Sequence, residues 1–415
     1  MTQQPGPGSG EAQRDSDDDG HGNGHGNGHG NGHGNGDGNG HGNGDGNGHG
    51  NGDGNGHGNG DGNGDGDGEA QHGGADPRPG AAPGRPWVPP QPGRPDLFTF
   101  GETMVALRGS GPLKLGGTMQ VSIAGAESNV AIGLARLGHE VRWAGAVGED
   151  EAGRLVLRTL RAEGVEVSGA STDPGAPTGL LLFEPRLPDV TRVHYYRAGS
   201  AGSRLTAGVI ERAFRAAPPR ILHLTGITPS LSPTARSAAL QSLRLAREYG
   251  SLVCLDVNFR ARLWTAEEAA VVLGEWLPYV DLLIASDDEL PLCLPPRDAA
   301  GGSAATLASQ ARLLRELGVG EIVVKLGAEG ATAFTHGGSL HRPARAVRAV
   351  DAVGAGDAFV AGYLSALLDG EGPAGCLERA VNTGAFAVAS PGDWEGAPTR
   401  AELGMLGAPP GTVVR

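Results

Sequence analysis

The sequence predicts an α/β fold in which a mostly parallel central sheet is covered by helices on both faces, with a small antiparallel sheet beside it. Two observations carry this prediction. Apolar runs of buried-strand type at residues 221–224, 252–257, 281–285 and 322–325 alternate with segments of helical periodicity, and such alternation builds a parallel sheet covered on both faces. A second set of β-rich runs, at 105–107, 119–121, 178–183 and 192–196, includes two separated by Glu184-Pro185 and Pro188-Asp189, as in a hairpin.

The first 95 residues are set apart by composition. The chain has 415 residues and 74 glycines. From residue 20 to 68 nearly every second residue is Gly, alternating with His, Asn and Asp in a four-residue repeat, and a Pro-rich segment follows to residue 95. Almost no apolar side chain is present there to offset the entropy of ordering, so residues 1–95 are expected to be disordered. The folded domain is then expected over 96–408, with a short tail at 409–415. Histidines such as His21, His25, His29 and His33 could chelate a transition metal weakly, at the entropic cost a Gly-rich chain carries. The calcium-loop-like start Asp61-x-Asn63-x-Asp65-Gly66 fails at its twelfth position, where His72 replaces the required Glu.

A net charge of −14 without a basic run argues against nucleic acid as a partner. No run of about 18 apolar residues and no basic-then-apolar leader is present, so neither a membrane span nor a secretory signal is expected. A cytoplasmic protein is expected. Cys254, Cys293 and Cys376 are odd in number, far apart and without metal spacing, which fits a reducing compartment.

Taken in order, residues 97–102 read as the first strand. Ala124 to Ala131 opens a helix completed by Leu134 and Leu137 and stopped at Gly138; Ser128 is the expected N-cap, which projects Asn129 from the first turn. The small antiparallel sheet follows from about 103–122 and 178–200. A helix over 233–249 separates two of the core strands. Near the C-terminus, Phe359, Val360, Tyr363, Leu364 and Leu367 fall at helical spacing with Gly370 at the stop, so a helix should begin near Asp357. The N–H groups of Ala355, Gly356 and Asp357 then lack carbonyl partners at its positive end, a place that holds an anion. The carboxylate of Asp357, lodged among those amides, could take the proton of a substrate hydroxyl while they stabilise a transferring phosphoryl group. Ligands in parallel α/β sheets bind beyond the C-terminal strand ends, where Gly226, Asn258, Arg260, Glu289 and Asp357 belong.

The string Asp351-Ala352-Val353-Gly354-Ala355-Gly356-Asp357-Ala358-Phe359 resembles the second signature of the PfkB or ribokinase-like sugar kinases, with Ala352 replacing the usual Thr. Gly125 to Asn129 resembles their sugar-binding Gly-Gly-x-x-x-Asn segment, with Ala124 in the first Gly position, and Gly148, Asp150 and Gly153 match their first signature. The resemblance implies a ribokinase-like three-layer sandwich with a β lid that closes over the sugar and forms a homo-oligomer surface. It implies ATP and Mg2+ as cofactors, and leaves a monovalent cation open. It makes Asp357 the catalytic base, Gly354, Ala355 and Gly356 with Asp357 the anion hole, and Gly125 and Asn129 sugar ligands. Lys325-Leu326-Gly327-Ala328-Glu329-Gly330 resembles the nucleotide-side loop, so Lys325, Gly327 and Gly330 join Gly354, Gly356 and Asn382 at ATP. Ser286-Asp287-Asp288-Glu289 resembles the Asn-x-x-Glu motif, Ser286 replacing Asn, which gives Glu289 a role in placing magnesium through water.

Tyr195-Tyr196-Arg197 and Asp256-x-Asn258-x-Arg260 each carry an Arg at a strand end. An exposed Arg is usually solvated surface, but two guanidinium groups converging on one cleft suit a carboxylate. With Glu102 and Ala126-Glu127, these strings look like the 2-keto-3-deoxygluconate kinases of the family, which makes Tyr195, Arg197 and Arg260 substrate ligands. Leu181 stands where a Tyr is expected in those kinases. The expected reaction is transfer of the ATP γ-phosphoryl group to the terminal hydroxyl of that sugar acid. Fructokinases share the Arg-x-x-Ser-Ala and Asp-x-Asn-x-Arg-x-x-Leu-Trp patterns, so a fructokinase or other PfkB kinase stays open. The departures at Ala124, Ala352 and Ser286 leave a third reading, a catalytically weak sugar-binding or interaction protein.

Overall fold

The computed structural model describes residues 93–187, 190–295, 306–408 and 412–413. Residues 1–92 of the expected disordered tail, with its histidine metal reading, lie outside the described residues. Strands are β1 (Leu97–Phe100), β2 (Met104–Gly109), β3 (Met119–Ala124), β4 (Val141–Ala144), β5 (Ala146–Gly148), β6 (Ser171–Asp173), β7 (Leu180–Leu187), β8 (Val190–Tyr196), β9 (Ile221–Thr225), β10 (Leu252–Asp256), β11 (Leu282–Ser286), β12 (Glu321–Lys325), β13 (Ala331–Thr335) and β14 (Gly338–Arg342). Helices are α1 (Ala126–Arg136), α2 (Glu151–Ala162), α3 (Ala207–Ala216), α4 (Thr228–Leu231), α5 (Pro233–Tyr249), α6 (Ala266–Trp276), α7 (Leu307–Glu316), α8 (Ala355–Leu368) and α9 (Pro373–Val388).

Eight strands form the main sheet in the order β14-β13-β12-β11-β10-β9-β1-β4. All neighbours are parallel except at the edge, where β13 pairs antiparallel with β12 and with β14. Side chains alternate between the two faces with period two. Along β10, Val253 and Leu255 enter one core with Phe98, Phe214, Leu243 and Trp276, while Leu252 and Cys254 enter the other with Trp143, Tyr363 and Leu364. These two cores, one on each face, are the three-layer arrangement the alternation predicts. The three cysteines are buried and unpaired.

The second sheet has the order β3-β2-β7-β8, two antiparallel pairs joined along a parallel seam between β2 and β7. A parallel pair needs a crossover, and the chain from β4 to β6 supplies it. Asp150 caps α2 through Gly153 N–H at 2.7 Å and also accepts from Thr178 N–H at 2.8 Å and Thr178 Oγ1 at 2.7 Å. A side chain at Gly148 would strike Ala176 O and Thr178 N at 2.7 Å. The Gly148, Asp150 and Gly153 string therefore ties the lid strand β7 to the core.

Two helix starts differ from the sequence expectation. α1 begins at Ala126 with Gly125 as N-cap; Ser128 lies inside the helix and its hydroxyl donates to Gly125 O at 2.9 Å. α8 begins at Ala355, two residues before Asp357, because Gly354 adopts the left-handed conformation (φ 75) that starts the turn. Arg94, just before the expected domain start at 96, donates to Pro218 O and Ser251 Oγ, each at 3.1 Å. Arg94 thus belongs to the folded domain, two residues before the start that composition suggests.

Candidate active site

A cavity of about 1090 Å³ lies between the inner face of the lid and the loops that leave the C-terminal ends of β10, β11 and β12. Met104, Leu181, Phe183 and Tyr195 line it from the lid, and Asn258, Arg260, Glu289 and Lys325 from the sheet side. Gly125, Asn129, Gly354, Gly356 and Asp357 complete its wall. The fold therefore brings together Asp357, Gly354, Gly356, Gly125, Asn129, Tyr195, Arg197, Arg260, Lys325 and Glu289.

Asp357 is buried in the first turn of α8. Its Oδ2 accepts from Asn129 Nδ2 at 2.8 Å, and Oδ1 faces Asn258 Nδ2 at 3.5 Å. Burial pushes its carboxyl up to about 7, against the Asn129 hydrogen bond that favours the ion. Asp357 can therefore exchange a proton near neutrality. Among the described residues no carbonyl accepts the N–H of Gly356 or Asp357, while Ala355 N–H makes a long contact of 3.4 Å with Ala352 O. Two amides at the positive end of α8 are thus free to meet an anion.

Behind Asp357 sits an ion pair. Lys325 Nζ bonds Asp256 Oδ1 at 2.8 Å, and the Asp256 side chain is 1% exposed. Burial acts to lower the Lys325 pKa, but the carboxylates of Asp256, Glu289 and Asp357 prevail and raise it. The ammonium also lies near the turn of α8, 3.8 Å from where a Cβ of Gly356 would be. Lys325 therefore serves the floor of the site from the end of β12. Asn258, between Asp256 and Asp357, is the one described non-glycine residue with positive φ, at 40. Backbone strain of this kind persists only where the surroundings enforce it, commonly at active sites.

Glu289 accepts N–H bonds from Phe259 at 2.8 Å and Ser286 at 2.9 Å. Because the Ser286 contact uses the backbone, the change from Asn to Ser leaves it intact. Among the described residues no three His, Cys, Asp or Glu side chains cluster as a metal cage. A carboxylate fixed by two amides suits the waters of a magnesium carried in by phosphates, which needs few protein ligands.

The two arginines differ. Arg260 is exposed at the cavity, with its own neighbour Phe259 O at 3.0 Å and no carboxylate within 4.0 Å among the described residues. Arg197 is already paired, its Nε donating to Glu102 Oε2 at 2.7 Å. Glu102 is 3% exposed and also binds Ser200 Oγ. A second buried carboxyl, Glu127, is raised by burial and held by Thr225 Oγ1 at 2.6 Å and Thr228 Oγ1 at 2.8 Å. The Ala126-Glu127 string thus forms part of the cavity wall, with the Glu127 carboxyl tied down by two threonines. Leu181 packs with Met104, Ala106, Ala124 and Phe183 in an apolar patch under the lid.

Three expected nucleotide residues lie away from this cavity. Asn382 Oδ1 accepts from Arg345 Nε at 2.8 Å. A Cβ at Gly330 would meet Arg342 O at 2.0 Å, so the close approach of the β14 end explains that glycine. Gly327 (φ 57) has open space where its Cβ would be, as a surface approached by a ligand allows. Arg108 and Asp393 were not singled out by the sequence, and Asp351 was noted there only as the first residue of the signature string. The available signal was alternation along β2, which puts Arg108 on the same face as Met104 and Ala106.

The family model described as pfkB family carbohydrate kinase matches residues 94–400. A 2-dehydro-3-deoxygluconokinase of Thermoproteus tenax is 36% identical over 317 residues, which is 75% of this chain and 93% of the relative. A 2-dehydro-3-deoxygalactonokinase of Haloferax volcanii is 34% identical over 286 residues, 66% of this chain and 85% of the relative. Among solved structures, a PfkB protein from Polaromonas sp. JS666 is 37% identical with a TM-score of 0.65, covering 74% of this chain and 99% of its own.

Proposed function

Because the chain belongs to the pfkB family of carbohydrate kinases, we propose that it transfers the γ-phosphoryl group of ATP to the terminal hydroxyl of 2-keto-3-deoxygluconate, also called 2-dehydro-3-deoxygluconate. The observation that carries this reading is Asp357, buried, pushed up to about 7 and set beside two free amides. Asp357 takes the hydroxyl proton, and the N–H groups of Gly356 and Asp357 stabilise charge on the phosphoryl group. Asn129 holds the Asp357 carboxylate in place. Arg260, with Tyr195 and Arg197, meets the substrate carboxylate.

ATP lies on the side of Lys325, Gly327, Gly330, Gly354, Gly356 and Asn382 in this proposal. Magnesium neutralises phosphate charge when bound, and Glu289 would hold its waters. A dependence of kcat on K+ would add a monovalent cation. No helix among the described residues is long and apolar enough to cross a membrane; a cytoplasmic location is part of the proposal, supported by three unpaired thiols. A homodimer through the outer face of the lid is a further part, supported by the exposure of Val121 and Tyr196 there, 56% and 62%.

Fructose is the second reading, and the pairing of Arg197 with Glu102 favours it, since that guanidinium is already neutralised. The test is product analysis with ATP, Mg2+ and each acceptor. One ADP per 2-keto-3-deoxygluconate and a phosphate monoester on its terminal carbon support the proposal. Phosphorylation of fructose alone supports the second reading, and no transfer to any sugar removes the kinase reading.

A further inference from the structure

Arg108, on lid strand β2, spans two loops beneath the lid. One terminal nitrogen donates to Asp351 Oδ2 at 3.0 Å and the other to Asp393 Oδ2 at 2.6 Å. Its guanidinium also lies 4.0 Å from the ring centre of Phe183 on β7. Asp351 opens the loop that ends in the anion hole, and its other oxygen fixes Val353 N–H at 3.0 Å. The backbone of Asp393 abuts the helix start directly, because a Cβ at Gly354 would stand 1.8 Å from Asp393 O.

Two more contacts join the same parts. Val353 packs against the apolar patch of Met104, Leu181 and Phe183 under the lid. Ser122, on β3, hydrogen-bonds Glu395, whose second oxygen accepts the N–H groups of Asp393 at 2.9 Å and Trp394 at 3.1 Å. Arg108 itself is not among the residues lining the cavity.

We propose that Arg108 is a positioning residue that ties the seat of the lid to the geometry of the anion hole. The planar guanidinium holds two carboxylates at a fixed separation, which a lysine ammonium cannot do. One carboxylate belongs to the loop carrying Gly354 and the other to the segment packed on Gly354. When β2 is docked, the amides of Gly356 and Asp357 are aimed at the transferring group. When it lifts, both loops lose their common anchor. A displacement of about 1 Å at such a site can cost on the order of 10²-fold in rate.

The inference rests on the phosphoryl-transfer reading, so its test uses whichever sugar the wild type phosphorylates best, and failure of the wild type on every sugar is a separate result. Arg108→Met should lower kcat by about 10–100-fold while KM for the sugar stays within roughly threefold, with a lower melting temperature because the buried Asp393 loses its partner. Arg108→Lys should recover part of the loss, and Asp393→Asn should follow Arg108→Met with a smaller drop. A wild-type kcat in Arg108→Met would overturn the proposal. So would a large rise in sugar KM with kcat held, which would mean that the guanidinium reads the sugar. If Arg108→Met does not fold, Asp393→Asn decides: a lower kcat at unchanged KM supports the tie, and an unchanged kcat refutes it.

Discussion

Asp357 joins chemistry and stability in one carboxyl group. A base must be ionised to work, so kcat/KM should rise with pH and level off above an apparent pKa of about 7. A profile flat down to pH 5 would mean that Asp357 does not take the proton. The same burial makes the ion costly. The folded-state pKa lies above the unfolded value of about 3.9, so the folded protein binds this proton more tightly, and the group's stabilising contribution is lost as pH rises through about 7. Asp357→Asn should therefore lower kcat by about two orders of magnitude or more, yet raise stability at pH 8 by roughly 1–4 kcal/mol. Calorimetry at pH 5 and pH 8 measures this, and a lower melting temperature at pH 8 would contradict it. Asp357 was legible because its neighbours are glycines at a helix start. The positive φ of Asn258 was not, since strain at one backbone position leaves no pattern in a sequence.

At the scale of elements, the loop after β10 and the end of β8 present the two arginines differently. Arg260→Ala removes a guanidinium with no carboxylate partner among the described residues, and an underpaired substrate carboxylate in a closed cleft costs roughly 2–5 kcal/mol. That is about tenfold to several thousandfold in kcat/KM for the sugar acid, with a much smaller loss for fructose; equal losses would assign Arg260 to lid closure. Arg197→Ala also strands the buried Glu102, so it should lower the melting temperature as well, and Glu102→Gln should restore part of that loss. Strong periodicity made α5 legible at both ends. The β13–β14 hairpin was not foreseen, because Thr332, Thr335, Ser339 and His341 give it a polar edge without an apolar run. The cap of α1 was misplaced for a related reason: Ser128 is a good cap by type, but the chain leaves β3 at Ala124 and turns into the helix at once.

For the whole molecule, strand–helix alternation announced the parallel sheet but not the order of its strands, which depends on contacts between distant segments. Composition placed the domain start at 96 and missed Arg94, one charged residue whose bonds reach to Ser251. A chain beginning at Gly93 should keep the full-length melting temperature and kcat/KM, whereas one beginning at Pro95 should melt a few degrees lower. A large loss in the first would show that the tail packs on the enzyme. Val121→Glu on the outer lid face should yield monomers by analytical ultracentrifugation if the lid pairs two copies; an unchanged assembly would move the interface elsewhere. The most direct measurement is a coupled ADP-release assay of the full chain with 2-keto-3-deoxygluconate, its galactonate epimer, fructose and ribose under one set of conditions. With Arg260 reading the substrate carboxylate, kcat/KM for 2-keto-3-deoxygluconate should be at least about tenfold above fructose and ribose, a preference of about 1.4 kcal/mol or more. A higher kcat/KM for fructose, or no ADP release with any of the four, would contradict it.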